Sequence, residues 1–291
     1  LSIDEVDIEG LTPLILLADG GEKKRFELRR LLELKANAKY QTWEGLSAFH
    51  IAALKSSHWA LSEFLKASIS EETFDCKDLD HATPLSFAAG NSIENSHFFG
   101  PNYTEAHIWS RRTELQSPRC QMARMLINRG ADVNSTTLSQ GRTPLMFAAD
   151  LGWDQIVTLL IDSGAVVDMR DKNYPTAISL AVKRGHLATV RRLLEANAAY
   201  NTKDKTGATM VILAAKQDHL PILRLFVDSY NLGPNDRYRH GLTALSYAAE
   251  YGHTNVVHYL LEHPNSVEVT LSTDKIKLHL CGPVNLGIGL S

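Results

Sequence analysis

Cysteine is scarce in this 291-residue sequence: Cys76, Cys120 and Cys281 are the whole set. Three scattered thiols build no disulfide framework, and no two are spaced for a zinc ribbon. They read as reduced thiols of an intracellular protein, cytoplasmic or nuclear. Long apolar runs are missing as well. The longest, such as Leu14 to Ala18, fall far short of a bilayer span. The first residues, LSIDEVDIEG, have neither the basic start nor the apolar core of a secretory leader. Glycine (18) and proline (10) are too few for a collagen-like or linker-dominated chain. A large charge of one sign is also absent. Thirty basic against 33 acidic residues leave a net charge of −3. That disfavours nucleic acid as a partner and leaves membranes only an indirect role.

Catalytic signatures are lacking too. There is no HExxH, phosphate loop, GxSxG or CxxC. No residues pattern as nucleophile, base and orienter. Of the 12 histidines, His186, His219 and His253 recur at one point of a period, where Trp153 also falls. Period-locked residues serve packing or capping. His253 and His258 are five apart, so they form no helix-face ligand pair. The chain reads as non-enzymatic, with no cofactor, no metal and no small-molecule substrate.

What is present is a repeat. Seven segments share one pattern: GLTPLILLA from Gly10, GLSAFHIAA from Gly45, HATPLSFAA from His81, GRTPLMFAA from Gly141, YPTAISLAV from Tyr174, GATMVILAA from Gly207 and GLTALSYAA from Gly241. Their Thr or Ser anchors, Thr12, Ser47, Thr83, Thr143, Thr176, Thr209 and Thr243, lie 35, 36, 60, 33, 33 and 34 residues apart. The spacing of 60 marks a 27-residue insertion in the third unit, about 91–118. Each anchor is placed to cap a helix. Pro13, Pro84 and Pro144 follow at the first helical position, where a missing N–H costs nothing. Alanine pairs come next and let helices approach closely. A second amphipathic helix follows, with apolar residues at i, i+3 and i+4, as in Val190, Leu193 and Leu194. Gly130, Gly164 and Asn197 fit left-handed helix stops. A lone helix pair cannot bury its apolar faces, so the units must stack.

These units resemble ankyrin repeats, whose pattern is a glycine, then T-P-L-H-x-A, on a period of about 33 residues. The resemblance covers 10–263, and GRTPLMFAADLGWDQIVTLLIDSGAVVD from Gly141 matches best. Only His50 keeps the family's histidine, Thr176-Ala177, Thr209-Met210 and Thr243-Ala244 lack the proline, and Leu17 replaces a small residue. The expected fold is an all-α solenoid of helix-turn-helix repeats joined by short finger turns. Residues 1–9 resemble a finger, and 264–291 an irregular tail without a capped helix pair. The chain therefore reads as a piece of a longer array.

The resemblance implies that finger tips and the ends of first helices line a binding groove. In the last three units those positions hold Lys172, Asn173, Lys183, Arg184, Lys205, Lys216, Gln217, Arg239, His240, Glu250 and Tyr251. In the first three they hold Glu9, Asp19, Trp43, Glu44, Lys55 and Asp80. The expected groove is acidic at one end and basic at the other, the basic half suited to an acidic segment of a protein partner. Phe98, Phe99, Tyr103 and Trp109 in the insertion are candidate anchors, either for a partner or onto the solenoid itself. The function implied is a non-catalytic scaffold or adaptor. Two alternatives stay open: the substrate-recruiting part of a larger enzyme, such as a ligase subunit or signalling ATPase, and a membrane or cytoskeletal tether.

Overall fold

The computed structural model describes residues 2–19, 21–67, 74–91, 116–204, 206–237 and 241–263, without the side chains of Gln116 and Ser117. Lys205, Arg239, His240, the four insertion aromatics and the tail from 264 lie outside the described residues. Each repeat contributes an inner and an outer helix. Repeat 1 gives α1 (Pro13–Ala18) and α2 (Arg25–Glu33), and repeat 2 gives α3 (Ala48–Leu54) and α4 (His58–Lys66). Repeat 3 gives α5 (Pro84–Ala88) and α6 (Gln116–Ile127), and repeat 4 gives α7 (Pro144–Leu151) and α8 (Asp154–Asp162). Repeat 5 gives α9 (Ala177–Arg184) and α10 (Leu187–Glu195), and repeat 6 gives α11 (Met210–Lys216) and α12 (Leu220–Arg224). Repeat 7 gives α13 (Ala244–Glu250) and α14 (Thr254–Glu262). The fold is all-α, with no strand among the described residues.

The anchors cap the inner helices. The side chains of Thr12, Thr83, Thr143, Thr176, Thr209 and Thr243 each accept from the backbone N–H three residues on. Ser47 and His50 form a reciprocal capping box. Such caps satisfy amides that the first helical turn leaves open.

The chain packs as two compact units, Leu1–Tyr200 and Asn201–Ser291. In the first, the inner helices pack in order, α1 on α3, α3 on α5, α5 on α7 and α7 on α9. The outer row follows, α2 on α4, α4 on α6, α6 on α8 and α8 on α10. Within the second unit α11 packs on α13. The alanine pairs make this approach possible: Ala52, Ala53, Ala88, Ala89, Ala148 and Ala149 are fully buried in the first unit, and Ala214 and Ala215 in the second. Methyl side chains let helix axes come close without a void.

One outer helix departs from the regular α pattern. The outer helix of repeat 6 is α only to Arg224 and continues as a π-helical turn over Leu225–Ser229. A π turn absorbs one extra residue, and the anchor spacing here is 34 where the two before it are 33. In repeat 2 the finger and helices close on an aromatic cluster, with the Phe49 ring 4.8 Å from Phe64 and 5.2 Å from Phe74.

Candidate interaction surface

Between repeats the backbone turns back through the fingers. In repeats 1 to 6 one residue closes the turn: Asp7, Thr42, Asp78, Asp171 and Asp204, each five before its anchor, with Thr137 six before in repeat 4. Its N–H donates across the finger, as from Asp7 to the Leu11 carbonyl (3.1 Å) and from Asp78 to that of Ala82 (3.0 Å). Its side-chain oxygen accepts from the turn. The Asp7 carboxylate takes the N–H groups of Glu9 and Leu11, Asp78 those of Asp80 and Ala82, and Asp204 those of Thr206 and Ala208. This Asx geometry is why Asp recurs there. Within the first unit neighbouring tips are also bonded to one another. The N–H of Leu79 donates to the Glu44 carbonyl (3.1 Å), that of Leu138 to Asp80 (2.6 Å) and that of Lys172 to Gln140 (2.8 Å). Gly45 is required by this approach: its φ is +78°, and a Cβ would stand 2.7 Å from the Leu79 nitrogen.

The structure places the candidate groove residues unevenly. In the first unit Trp43, Lys172, Asn173, Lys183 and Arg184 are exposed and Glu44 is half-buried. The Lys172 ammonium donates to the Leu138 carbonyl. Arg184 is paired with Asp150 (2.8 Å), which raises its pKa. Asp150 also pairs with Arg142 (3.3 Å), and Arg142 reaches Asp171 (3.4 Å). The charge of Arg184 is thus engaged within the protein. On the acidic side Asp19 pairs with Lys55 (3.0 Å), and Asp80 accepts from the N–H and hydroxyl of Ser139 (2.6 and 2.8 Å). In the second unit Gln217 is exposed. The Lys216 ammonium lies 5.4 Å from the Tyr247 ring centre and 5.9 Å from that of Tyr251, and Tyr251 stacks on His253.

Two buried polar clusters bear on chemistry. His50 Nε2 is 3.1 Å from the Ala82 carbonyl, and its Nδ1 is 3.0 Å from the Ser47 nitrogen and 2.9 Å from the Ser47 hydroxyl. These partners assign the proton to Nε2. Cys76 Sγ is 3.1 Å from the same hydroxyl. Burial pushes the Cys76 thiol up to about 11 and His50 down to about 4. A protonated thiol beside a neutral imidazole is no nucleophile and base. The cluster caps a helix instead. The second centres on Arg119, which is buried, donates to the carbonyls of Phe87 (2.8 Å) and Leu54 (2.9 Å), and lies 5.0 Å from the Trp153 ring centre. Among the described residues no group of three His, Cys, Asp or Glu side chains is arranged to hold a metal. No described helix is long and apolar enough to cross a membrane.

A family model described as Ankyrin repeats (3 copies) matches residues 115–204 and 178–272, more than half of the chain. The chain belongs to the ankyrin repeat family. Ankyrin repeat domain-containing protein 63 of Mus musculus is 34% identical over 154 residues, covering 50% of this chain and 40% of that protein. The Homo sapiens protein of the same name matches at the same identity and coverage. Glycerophosphocholine phosphodiesterase gde1 of Schizosaccharomyces pombe is 36% identical over 90 residues, 31% of this chain and 8% of that protein. The chain spans less than half the length of each. Ankyrin repeats are generally protein-interaction modules.

Two ankyrin features escape a reading by motif. The turn-closing row has a periodic signal, five before five of the anchors, but Thr replaces Asp at Thr42 and Thr137, and Thr137 stands six before its anchor, which dilutes it. Arg119 has none. His186 Nε2 is 3.1 Å from the Asp150 carbonyl and His253 Nε2 is 3.1 Å from that of Lys216, each acceptor seven residues after its anchor. The Leu54 carbonyl stands seven after Ser47, and Arg119 bonds it. Ten residues after the third anchor, where repeats 5 and 7 carry this histidine, the sequence has Ile93, and Arg119 supplies the bond to the corresponding carbonyl.

Proposed function

We propose that this ankyrin array is a non-catalytic scaffold that holds a protein partner by its fingers and inner-helix ends, with the basic positions receiving an acidic segment. The observation that carries the reading is the placement of Lys172 and Lys183 as exposed groups of the first unit, with Lys216 over Tyr247 and Tyr251 in the second. Cations beside aromatic faces suit carboxylate-bearing partners whose stems pack on the rings. Arg184 contributes less, because Asp150 already neutralises it.

The test is a titration of the chain with a fluorescent glutamate-rich peptide at rising salt. The variants Lys172→Glu/Lys183→Glu in the first unit and Lys216→Glu in the second, measured separately, are each expected to lower the affinity and its salt dependence. Unchanged binding by both variants rejects the basic positions as contacts. A second reading, the recruiting region of a larger enzyme, draws on the phosphodiesterase that shares 36% identity over 90 residues. A catalytic domain in the complete coding sequence would establish it.

A further inference from the structure

The fingers of the first unit carry more than turn chemistry. Directly after each turn-closing residue stands one tip side chain. In the first four fingers it is apolar and exposed: Ile8 (95%), Trp43 (75%), Leu79 (70%) and Leu138 (48%). In the fifth it is Lys172. Exposed apolar residues scattered singly need no explanation. These four are not scattered, because the tip-to-tip bonds from Leu79 to Glu44 and from Leu138 to Asp80 align the fingers that bear them. The Trp43 ring closes the row onto the first finger, 3.2 Å from where a Cβ on Gly10 would stand.

An acidic residue follows the tip in three of these fingers: Glu9, Glu44 and Asp80. Fingers 1 to 3, residues 2–12, 36–47 and 74–83, hold eight acidic side chains against two lysines, Lys39 and Lys77. The apolar row therefore runs beside an acidic one. Each finger has two extended legs, so tips recur at two inter-strand spacings, about 9.5 Å. An α-helix returns a side chain to the same face at i+7, a rise of about 10.5 Å. An extended strand covers that distance in about three residues, and an odd step turns its side chain to the other face. The tip N–H groups of Leu79 and Leu138 are bonded finger to finger, so the row offers side chains rather than a strand edge. A helix, which satisfies its own backbone, is the element that fits.

We propose that the tip row of fingers 1 to 4 docks an amphipathic helix of a partner protein. The helix sets apolar side chains at every seventh position on Ile8, Trp43, Leu79 and Leu138. Lysine or arginine beside them faces Glu9, Glu44 and Asp80. The inference rests on the reading of the chain as an interaction module and adds a surface distinct from the basic positions.

The probe is a synthetic helical peptide of about 22 residues, the length that spans four tips, with leucine at every seventh position and flanking lysines. Fluorescence anisotropy follows its binding to the 291-residue chain. The peptide is expected to bind, and more weakly at high salt. Trp43→Ser/Leu79→Ser is expected to lower its affinity about tenfold or more, with an unchanged circular dichroism melt and unchanged binding of the glutamate-rich peptide. Glu9→Gln/Glu44→Gln is expected to flatten the salt dependence. No binding, equal binding of a proline-interrupted peptide of the same composition, or indifference to the Trp43 and Leu79 substitutions overturns the proposal. Binding of the acidic peptide alone leaves the module reading standing without the tip row. Failure of both peptides, with nothing retained in an affinity capture by the chain, removes both readings.

Discussion

Arg119 is a buried cation with no carboxylate partner among the described residues, and burial lowers its pKa to about 10. It is kept because two carbonyls at inner-helix ends need donors. Arg119→Met removes the charge but orphans both acceptors, so a loss of about 2–4 kcal/mol in urea unfolding is expected. His50 gives the second prediction at this scale. Its folded pKa is about 4, depressed chiefly by burial, against an ordinary value of 6.5. Its contribution is whole above pH 6.5. Between pH 6.5 and 4 the unfolded chain binds the proton and the folded one does not, so up to about 3 kcal/mol is lost as pH falls. Glu63 acts lower, below pH 4.5, because Arg29, with Arg25 and Lys66, holds its carboxylate down to about 2. His50→Gln should weaken the fold at pH 7 and flatten the decline between pH 6.5 and 4, which urea titrations across that range would read. The anchors Thr12 to Thr243 were legible because capping is local and recurs with the period. Arg119 was not, because its acceptors lie 32 and 65 residues away in sequence.

Fingers and helices obey different constraints. A helix tolerates one extra residue by widening a turn, as Leu225–Ser229 does. The anchor spacing of 34 held that information, but a spacing alone cannot say whether a finger or a helix absorbs the excess. A finger has no such slack where its neighbour's backbone crosses it. At Gly45 the left-handed φ of +78° and a Cβ position 2.9 Å from the Asp78 Cα both oppose a side chain. Gly45→Ala is therefore expected to cost about 2–4 kcal/mol, combining left-handed strain with displacement of the third finger. Thermal unfolding would measure the loss. Hydrogen exchange at Leu79, whose N–H donates to Glu44, would show whether the damage begins between these two fingers.

At the scale of the whole chain, order comes from neighbours. Each inner helix of the first unit packs on the next, and each outer helix on the next outer one. A stack with only such contacts behaves nearly as a one-dimensional chain of interfaces, so a local defect should spread outward by repeats. The sequence showed the period but not the strength of each interface, which depends on side chains distant in sequence, such as Phe49 against Phe64 and Phe74. Leu160 is fully buried on α8, between α6 and α10. Leu160→Ala opens a cavity there and should cost about 2–5 kcal/mol. Native-state hydrogen exchange should then show the largest loss of protection in α6, α8 and α10, and a smaller one in α1 and α2. Equal losses from α1 to α10 would mean that the first unit opens as one all-or-none body. Its stability would then be shared across all five repeats rather than held at each junction.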